Sequence, residues 1–193
     1  MTRLILIRHG ETDWNTEGRW QGQADVALNA TGWRQAQQMA RSLEQAGITA
    51  IYSSDLLRAR QTAQVLADSA GLPLHLDIRL REIHQGDWQG LLFSEIQARY
   101  AQANQDRQRD PLNFSPPGGE PIAQVRSRVL AAAQEIIHLH PDATVAVVSH
   151  GFVLAVLITH LRGQPFDQVW DRIPGNGQWV VMEAIMQDLA RNQ

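Results

Sequence analysis

LILIRHGETDWN, residues 4–15, decides how this chain is read. Leu4, Ile5, Leu6 and Ile7 form an apolar, β-branched-rich run of the kind found in strands buried on both faces, as in a parallel sheet. The run ends in Arg8-His9-Gly10. An arginine beside a histidine is a poor way to leave a buried strand unless the charge has something to hold. The group that suits it is a phosphate.

A second stretch repeats the arrangement. Val145, Ala146, Val147 and Val148 lead into Ser149-His150-Gly151. In both places a histidine sits where the chain leaves the sheet, followed by a glycine that permits a tight turn or a close backbone approach. Either histidine alone is more often structural than catalytic. Parallel strands, however, end on one side of the sheet, where ligands of such folds bind, so His9 and His150 become neighbours.

The intervening pattern supplies the frame. Thr31-Gly32 opens a helix marked by Trp33, Ala36, Met39, Ala40 and Leu43 and stopped by Gly47. Ile51-Tyr52 reads as a short strand, Leu56 to Ala70 as a helix ended by Gly71, and Leu74 to Leu76 as a weaker strand. Ile122, Val125, Val129, Leu130, Ala133, Ile136 and Ile137 define an amphipathic helix between Pro121 and Pro141. Val153 to Leu161 is a more uniformly apolar helix, and Gln178 to Ile185 alternates as a final edge strand. Such an edge would also offer a pairing surface for a homodimer. Strands alternating with helices predict an α/β fold: a three-layer α/β/α sandwich whose mostly parallel sheet carries an antiparallel edge strand.

With 193 residues and 44% hydrophobic content, the chain is expected to form one domain over residues 1–193, with a cap or insertion at about 85–120. Within it the polar segment Gln97 to Asp110 and the turn Ser115-Pro116-Pro117-Gly118-Gly119 read as a helical cap over the site or as a solvated excursion. A formal net charge of −3 argues against a nucleic-acid or membrane-surface partner. The absence of cysteine removes disulfides, thiolate metal sites and a cysteine nucleophile. The apolar runs are too short for a signal peptide or a membrane span, so a cytoplasmic protein is expected.

Two further stretches bear on chemistry. Arg58, in Ser-Asp-Leu-Leu-Arg-Ala-Arg-Gln-Thr-Ala (residues 54–63), falls in the first turn of its helix, where the backbone also favours an anion. With Arg8 it makes a two-guanidinium cradle for a phosphoryl group, whereas Arg60 reads as a surface charge. In Arg81-Glu82-Ile83-His84, Glu82 is a carboxylic acid able to protonate a departing alkoxide, with Asp77 and Asp87 as alternatives on position alone. His84 is a candidate for the far end of the substrate, and Trp14, Trp20 and Trp88 for walls of the site. His138 and His140 diverge on a helix, and their place at its C-terminus is explained by the helix dipole rather than by a metal.

Taken in order, Arg8-His9-Gly10-Glu11-Thr12 with Asn15, then Arg58, Glu82 and Ser149-His150-Gly151, resemble the histidine phosphatase superfamily, the phosphoglycerate mutase-like group. Arg19, Gln21, Gly22, Asp25, Leu28 and Gly32 of the first long loop fit the same resemblance, as does the turn Pro117-Gly118-Gly119-Glu120. The resemblance implies that His9 becomes a phosphohistidine, that Arg8, Arg58 and protonated His150 hold the equatorial oxygens, and that Glu82 is the acid. It also implies that Asn15, Gln21, Gly22 and Gly151 line the phosphate cage and that neither metal nor cofactor takes part.

Mutases of that group carry an aromatic residue, a lysine and adjacent arginines after the acid. Here Gln85 and Phe93 stand at the first two places, and no two arginines are adjacent. Arg99, Arg107 and Arg109 remain as single basic residues that could reach in from the cap. The expected activity is therefore hydrolysis of a small phosphomonoester, with phosphoserine, α-ribazole phosphate and sugar phosphates as plausible substrates. The alternatives are a phosphoglycerate mutase and an inactive phospho-ligand-binding regulator.

Overall fold

The computed structural model describes residues 1–185. In chain order these build β1 (Thr2–Arg8), α1 (Asp13–Glu17), α2 (Ala30–Ser42), β2 (Ile48–Ser53), α3 (Leu57–Ala70) and β3 (Leu74–Leu76). They continue with α4 (Phe93–Arg99), α5 (Ala101–Arg109), α6 (Ile122–Leu139), β4 (Thr144–Ser149), α7 (Gly151–Leu161) and β5 (Trp179–Ala184). The strands lie in the order β3-β2-β4-β1-β5. All neighbours are parallel except β5, which runs antiparallel to β1 at the edge.

Period-two alternation along β1 and β4 divides the core. Leu4, Leu6, Val145 and Val147 pack with the apolar faces of α6 and α7. Ile5, Ile7, Ile51, Ala146 and Val148 pack on the other side against Met39, Ala40 and Leu43 and against Ala59, Ala63, Leu66 and Ala67 of α3. This is the three-layer sandwich. Each such Leu or Ile, wholly buried, contributes roughly 1.5–3 kcal/mol, so the strands carrying the site are fixed by their own burial. Helix α7 is buried from Gly151 through His160, which explains its lack of amphipathic periodicity.

Register brings the chemistry to one row. Arg8 pairs with Ser149, and Ser53 pairs with Val148, so β1, β2 and β4 end level. Because β5 runs the other way, with Trp179 opposite Ile7, the loop preceding it returns to the same rim. Gly10 and Gly32 allow the first loop to lie on the start of α2: a Cβ on Gly10 would sit 2.5 Å from the Gly32 carbonyl oxygen.

Two features differ from the expected elements. Helix α1 is a single five-residue turn built by local capping, in which the Asn15 amide nitrogen of the backbone donates to Thr12 Oγ1 and Asn15 Oδ1 accepts from the Thr12 backbone. It is too short to leave a periodic signal. The cap segment forms two short helices, α4 and α5, anchored through buried Ile96 and Asn104, with buried Trp88 of the preceding 3-10 turn beneath them.

Candidate active site

His9 leaves β1 with its backbone N–H still donating to the Ser149 carbonyl at 3.0 Å. Its Nδ1 lies 2.7 Å from the Gly10 carbonyl oxygen. A carbonyl can only accept, so Nδ1 carries the proton and Nε2 keeps its lone pair. Arg58 Nε donates to that Nε2 at 3.2 Å. Burial first, then the charges of Arg58 and Arg8, hold His9 well below the usual histidine range, which keeps Nε2 a free base at neutral pH.

Arg58 is itself 1% exposed. Its two terminal nitrogens donate to the Ala24 and Gly22 carbonyls, both at 2.8 Å, which locks the guanidinium and explains why the loop carrying Gln21 and Gly22 must wrap here. Burial pulls Arg58 down to about 10, with Glu82 and Asp25 opposing, so it stays charged at neutral pH. Asp25 Oδ1 also accepts from the Leu57 N–H at 2.6 Å, tying the same loop to the start of α3. Thr62, one turn further on, accepts from the Gly10 N–H at 3.0 Å and donates to the Arg58 carbonyl at 2.8 Å.

Arg8 points out of the sheet beside Gly151, where a Cβ would come within 3.4 Å of its guanidinium carbon and 2.9 Å of Ile173. This close approach is the structural reason for the glycine after His150. One terminal nitrogen of Arg8 donates to the Pro174 carbonyl at 2.6 Å, while its Nε is buried without a protein partner. His150 is fully buried, its ring centroid 5.2 Å from that of His9. Its Nε2 meets Ser54 Oγ at 2.8 Å, and its Nδ1 is buried without a partner. Burial first, then Arg58, His9, Arg128 and Arg8, hold His150 well below the usual histidine range. Those groups disfavour the charged form of His150 that the resemblance implies, and a negative charge brought beside it acts the other way.

Glu82 reaches the rim from the 3-10 turn after β3. Its two carboxylate oxygens accept one backbone N–H each, from Ile83 at 2.9 Å and from Phe152 in the first turn of α7 at 3.1 Å. Asn15 Oδ1 accepts from the Thr12 N–H and Oγ1 and from Asn176 Nδ2, which leaves the Asn15 amide nitrogen as its donor toward a ligand. Gln21 Oε1 is buried without a partner, and half a turn of the amide would present its nitrogen instead.

Beside His9 lies one cavity of about 440 Å³, and the fully buried His150 stands behind its lining rather than in it. Arg8, His9, Asn15, Gln21, Gly22, Arg58, Glu82 and Gly151 all line it. Trp20, Trp88, Phe114, Phe152 and Trp170 form its apolar side, with Arg107 of α5 over the Trp20 ring at 5.3 Å. His84 is a correction. It lines a separate hollow with Arg81, Glu120 and Arg128, because its backbone is bonded on both sides to Glu120 and its Nδ1 accepts from the Gly86 N–H. Trp14 also stands outside the cavity, against Gly90, and neither Asp77 nor Asp87 lines it. Arg60 is exposed, and His140 bonds Tyr52 at 2.9 Å. Among the described residues no group of three or more His, Cys, Asp or Glu side chains could hold a metal.

Ser54, Thr62, Pro174 and Asn176 join the site without having been singled out from the sequence. Ser54 lies inside a stretch that drew attention for Arg58. Asn176 offered no signal, since it reaches His9 only through the antiparallel return of β5, donating to the His9 carbonyl at 3.2 Å.

A charged cradle at the level ends of three parallel strands, with a basic histidine nitrogen inside it, defines a phosphate-handling α/β protein. Residues 4–188 match the model of the histidine phosphatase superfamily (branch 1), and the chain belongs to that family. It is 38% identical over 187 residues, 92% of this chain and 82% of the relative, to glucosyl-3-phosphoglycerate phosphatase of Mycolicibacterium vanbaalenii. It is 34% identical over 165 residues, 86% of this chain and 77% of the relative, to a protein of Serratia proteamaculans named "Probable phosphoglycerate mutase GpmB". The solved structure of α-ribazole phosphatase from Shigella flexneri superposes with a TM-score of 0.89 at 29% identity, over 96% of this chain and 92% of that one. No helix among the described residues is long and apolar enough to cross a membrane.

Proposed function

We propose that the protein hydrolyses a small organic phosphomonoester through a phosphohistidine on His9. The observation that carries this reading is the tautomer lock: Nδ1 spent on the Gly10 carbonyl leaves Nε2 as the nucleophile, aimed at the place where Arg58, Arg8 and His150 converge. Nε2 attacks phosphorus in line as the ester P–O bond breaks, and Glu82 gives its proton to the leaving alkoxide. Water then attacks the phosphohistidine, Glu82 takes a proton back, and the P–N bond breaks to release phosphate. Arg8 Nε and His150 Nδ1, both buried without a protein partner, turn to the equatorial oxygens, where charge-assisted hydrogen bonds strengthen in the transition state. The Asn15 amide nitrogen completes the cage. Two guanidiniums supply the charge neutralisation, which supports a reaction independent of metal.

Hydrolysis is favoured over phosphoryl relocation by what the cap offers. Arg99 is paired with Glu95 and Arg109 with Asp106, which leaves Arg107 as the cap cation in the cavity. The aromatic side beneath it suits an alcohol with an apolar or flat portion, and phosphoserine, sugar phosphates and α-ribazole phosphate form the substrate panel to test.

Rapid quench with radiolabelled p-nitrophenyl phosphate should trap acid-labile phosphate on His9, in the presence of EDTA as in its absence. Label that persists in His9→Ala, or activity that EDTA abolishes and added metal restores, would overturn the reading.

A further inference from the structure

The turn Pro117-Gly118-Gly119-Glu120 and Arg128, one face of α6, lie behind the acid rather than in front of it, and the reaction described above makes no use of them. Arg128 Nε donates to Glu120 Oε1 at 2.7 Å, and one terminal nitrogen donates to Glu120 Oε2 at 2.9 Å, a bidentate pair whose side chains are 16% and 8% exposed. The remaining donors of the same guanidinium go to the loop that carries the acid. They reach the carbonyls of Arg79 at 2.7 Å, of Arg81, and of Glu82 itself at 3.1 Å. Glu120 closes the arrangement: its N–H donates to the His84 carbonyl at 2.9 Å, and its Oε2 accepts from the His84 N–H at 3.2 Å. Gln23 Nε2, from the phosphate-cage loop, also donates to the Glu82 carbonyl at 3.0 Å.

The carbonyls of Arg79, Arg81 and Glu82 are therefore held by the guanidinium of one ion pair, and that of His84 by the backbone of its partner. The turn has no room to shift, since a Cβ on Gly86 would sit 2.0 Å from the Pro117 carbonyl oxygen and one on Gly119 2.7 Å from the His84 carbonyl oxygen. A planar fork with its donors spread in fixed directions can bind a carboxylate and three carbonyls at once, which lysine cannot. We infer that Glu120 and Arg128 are positioning residues for the proton donor: they set where the Glu82 carboxyl stands relative to the leaving oxygen, without touching the substrate. The inference rests on the reading of Glu82 as the acid.

The test separates proton donation from every other step by leaving group. Values of kcat/KM are measured for p-nitrophenyl phosphate, whose leaving oxygen needs little protonation, and for phenyl phosphate, whose leaving oxygen needs more, in Arg128→Met, Arg128→Lys and Glu120→Gln, with Glu82→Gln as reference. Misplacing a proton donor should slow phenyl phosphate by about tenfold or more in Arg128→Met and p-nitrophenyl phosphate by no more than about threefold. Glu120→Gln, which keeps the shape of the pair, should show a smaller loss with the same preference. Arg128→Met should also add little further loss with phenyl phosphate in a Glu82→Gln background. Equal losses on both substrates, or full additivity with Glu82→Gln, would overturn the positioning role, whether or not Arg128→Met folds well, because Glu120→Gln reports the same ratio. If Glu82→Gln itself shows no dependence on the leaving group, the acid reading fails, and this inference with it.

Discussion

Binding of a dianion should load a proton onto His150. Burial and the neighbouring cations hold that histidine well below its ordinary range, with its Nδ1 unpartnered. Its ring centroid is 5.2 Å from that of His9, so an anion held in front of His9 Nε2 stands at a comparable distance. At about 5 Å and an effective dielectric of about 20, each negative charge is worth about 3 kcal/mol to an imidazolium. That is about 2 pH units per charge, and about 4 to 5 for a dianion. Such a shift opposes the depression that burial and the neighbouring cations impose and moves His150 toward the imidazolium. Sulfate is the probe, since it has no proton of its own to exchange in this range. Calorimetric titrations at pH 7 in buffers of differing ionisation enthalpy should show net proton uptake on binding. The uptake should persist in His9→Asn and vanish in His150→Gln. Binding without proton uptake, or uptake that disappears with His9 instead, would refute the assignment of His150 as the cation that faces the phosphoryl group.

The same two histidines make an acid-sensitive fold. Each has its folded-state value depressed below the ordinary 6.5, so the unfolded chain binds the extra proton; their contribution is present above pH 6.5 and is lost as pH falls below it. Urea denaturation at pH 7.5 and 5.5 should show a loss of about 1 kcal/mol per histidine, and the combined variant His9→Asn, His150→Gln should flatten that part of the slope. For Gly10→Ala the new Cβ would lie 2.5 Å from a backbone oxygen of Gly32, so thermal denaturation should show about 1–3 kcal/mol lost. A variant as stable as the parent would mean that the first loop is not held against α2 as described.

Much of the frame could be read directly because burial writes itself into residue order. Helix α6 occupies Ile122–Leu139, the span its apolar residues outline between two prolines, and β3 occupies Leu74–Leu76. Arg8 and Arg58 drew attention for a related reason, since a guanidinium is expensive to bury and a phosphate would explain it, whereas His150 stood out by repeating the strand–His–Gly exit of β1. What could not be read depends on side-chain direction and on long-range return of the chain. His84 is two residues from Glu82 yet faces another hollow, because Glu120 claims its backbone. Asn176 and Pro174 carry no local oddity, and only the antiparallel pairing of β5 brings them to His9 and Arg8.

The strand order has a consequence for how such a chain is made. β1 precedes the other strands in the chain, but both of its neighbours in the sheet, β4 and β5, lie after residue 143. Its run of leucine and isoleucine therefore has no sheet partner until residues beyond 143 have been synthesised, and loop closure over that span is slow. Newly made chains should thus pass through a stage in which the most apolar strand is unpaired and the nucleophile unformed. Truncation at residue 143 should yield an aggregation-prone fragment with no phosphatase activity, since it lacks both sheet neighbours of β1 and the His150 that follows β4.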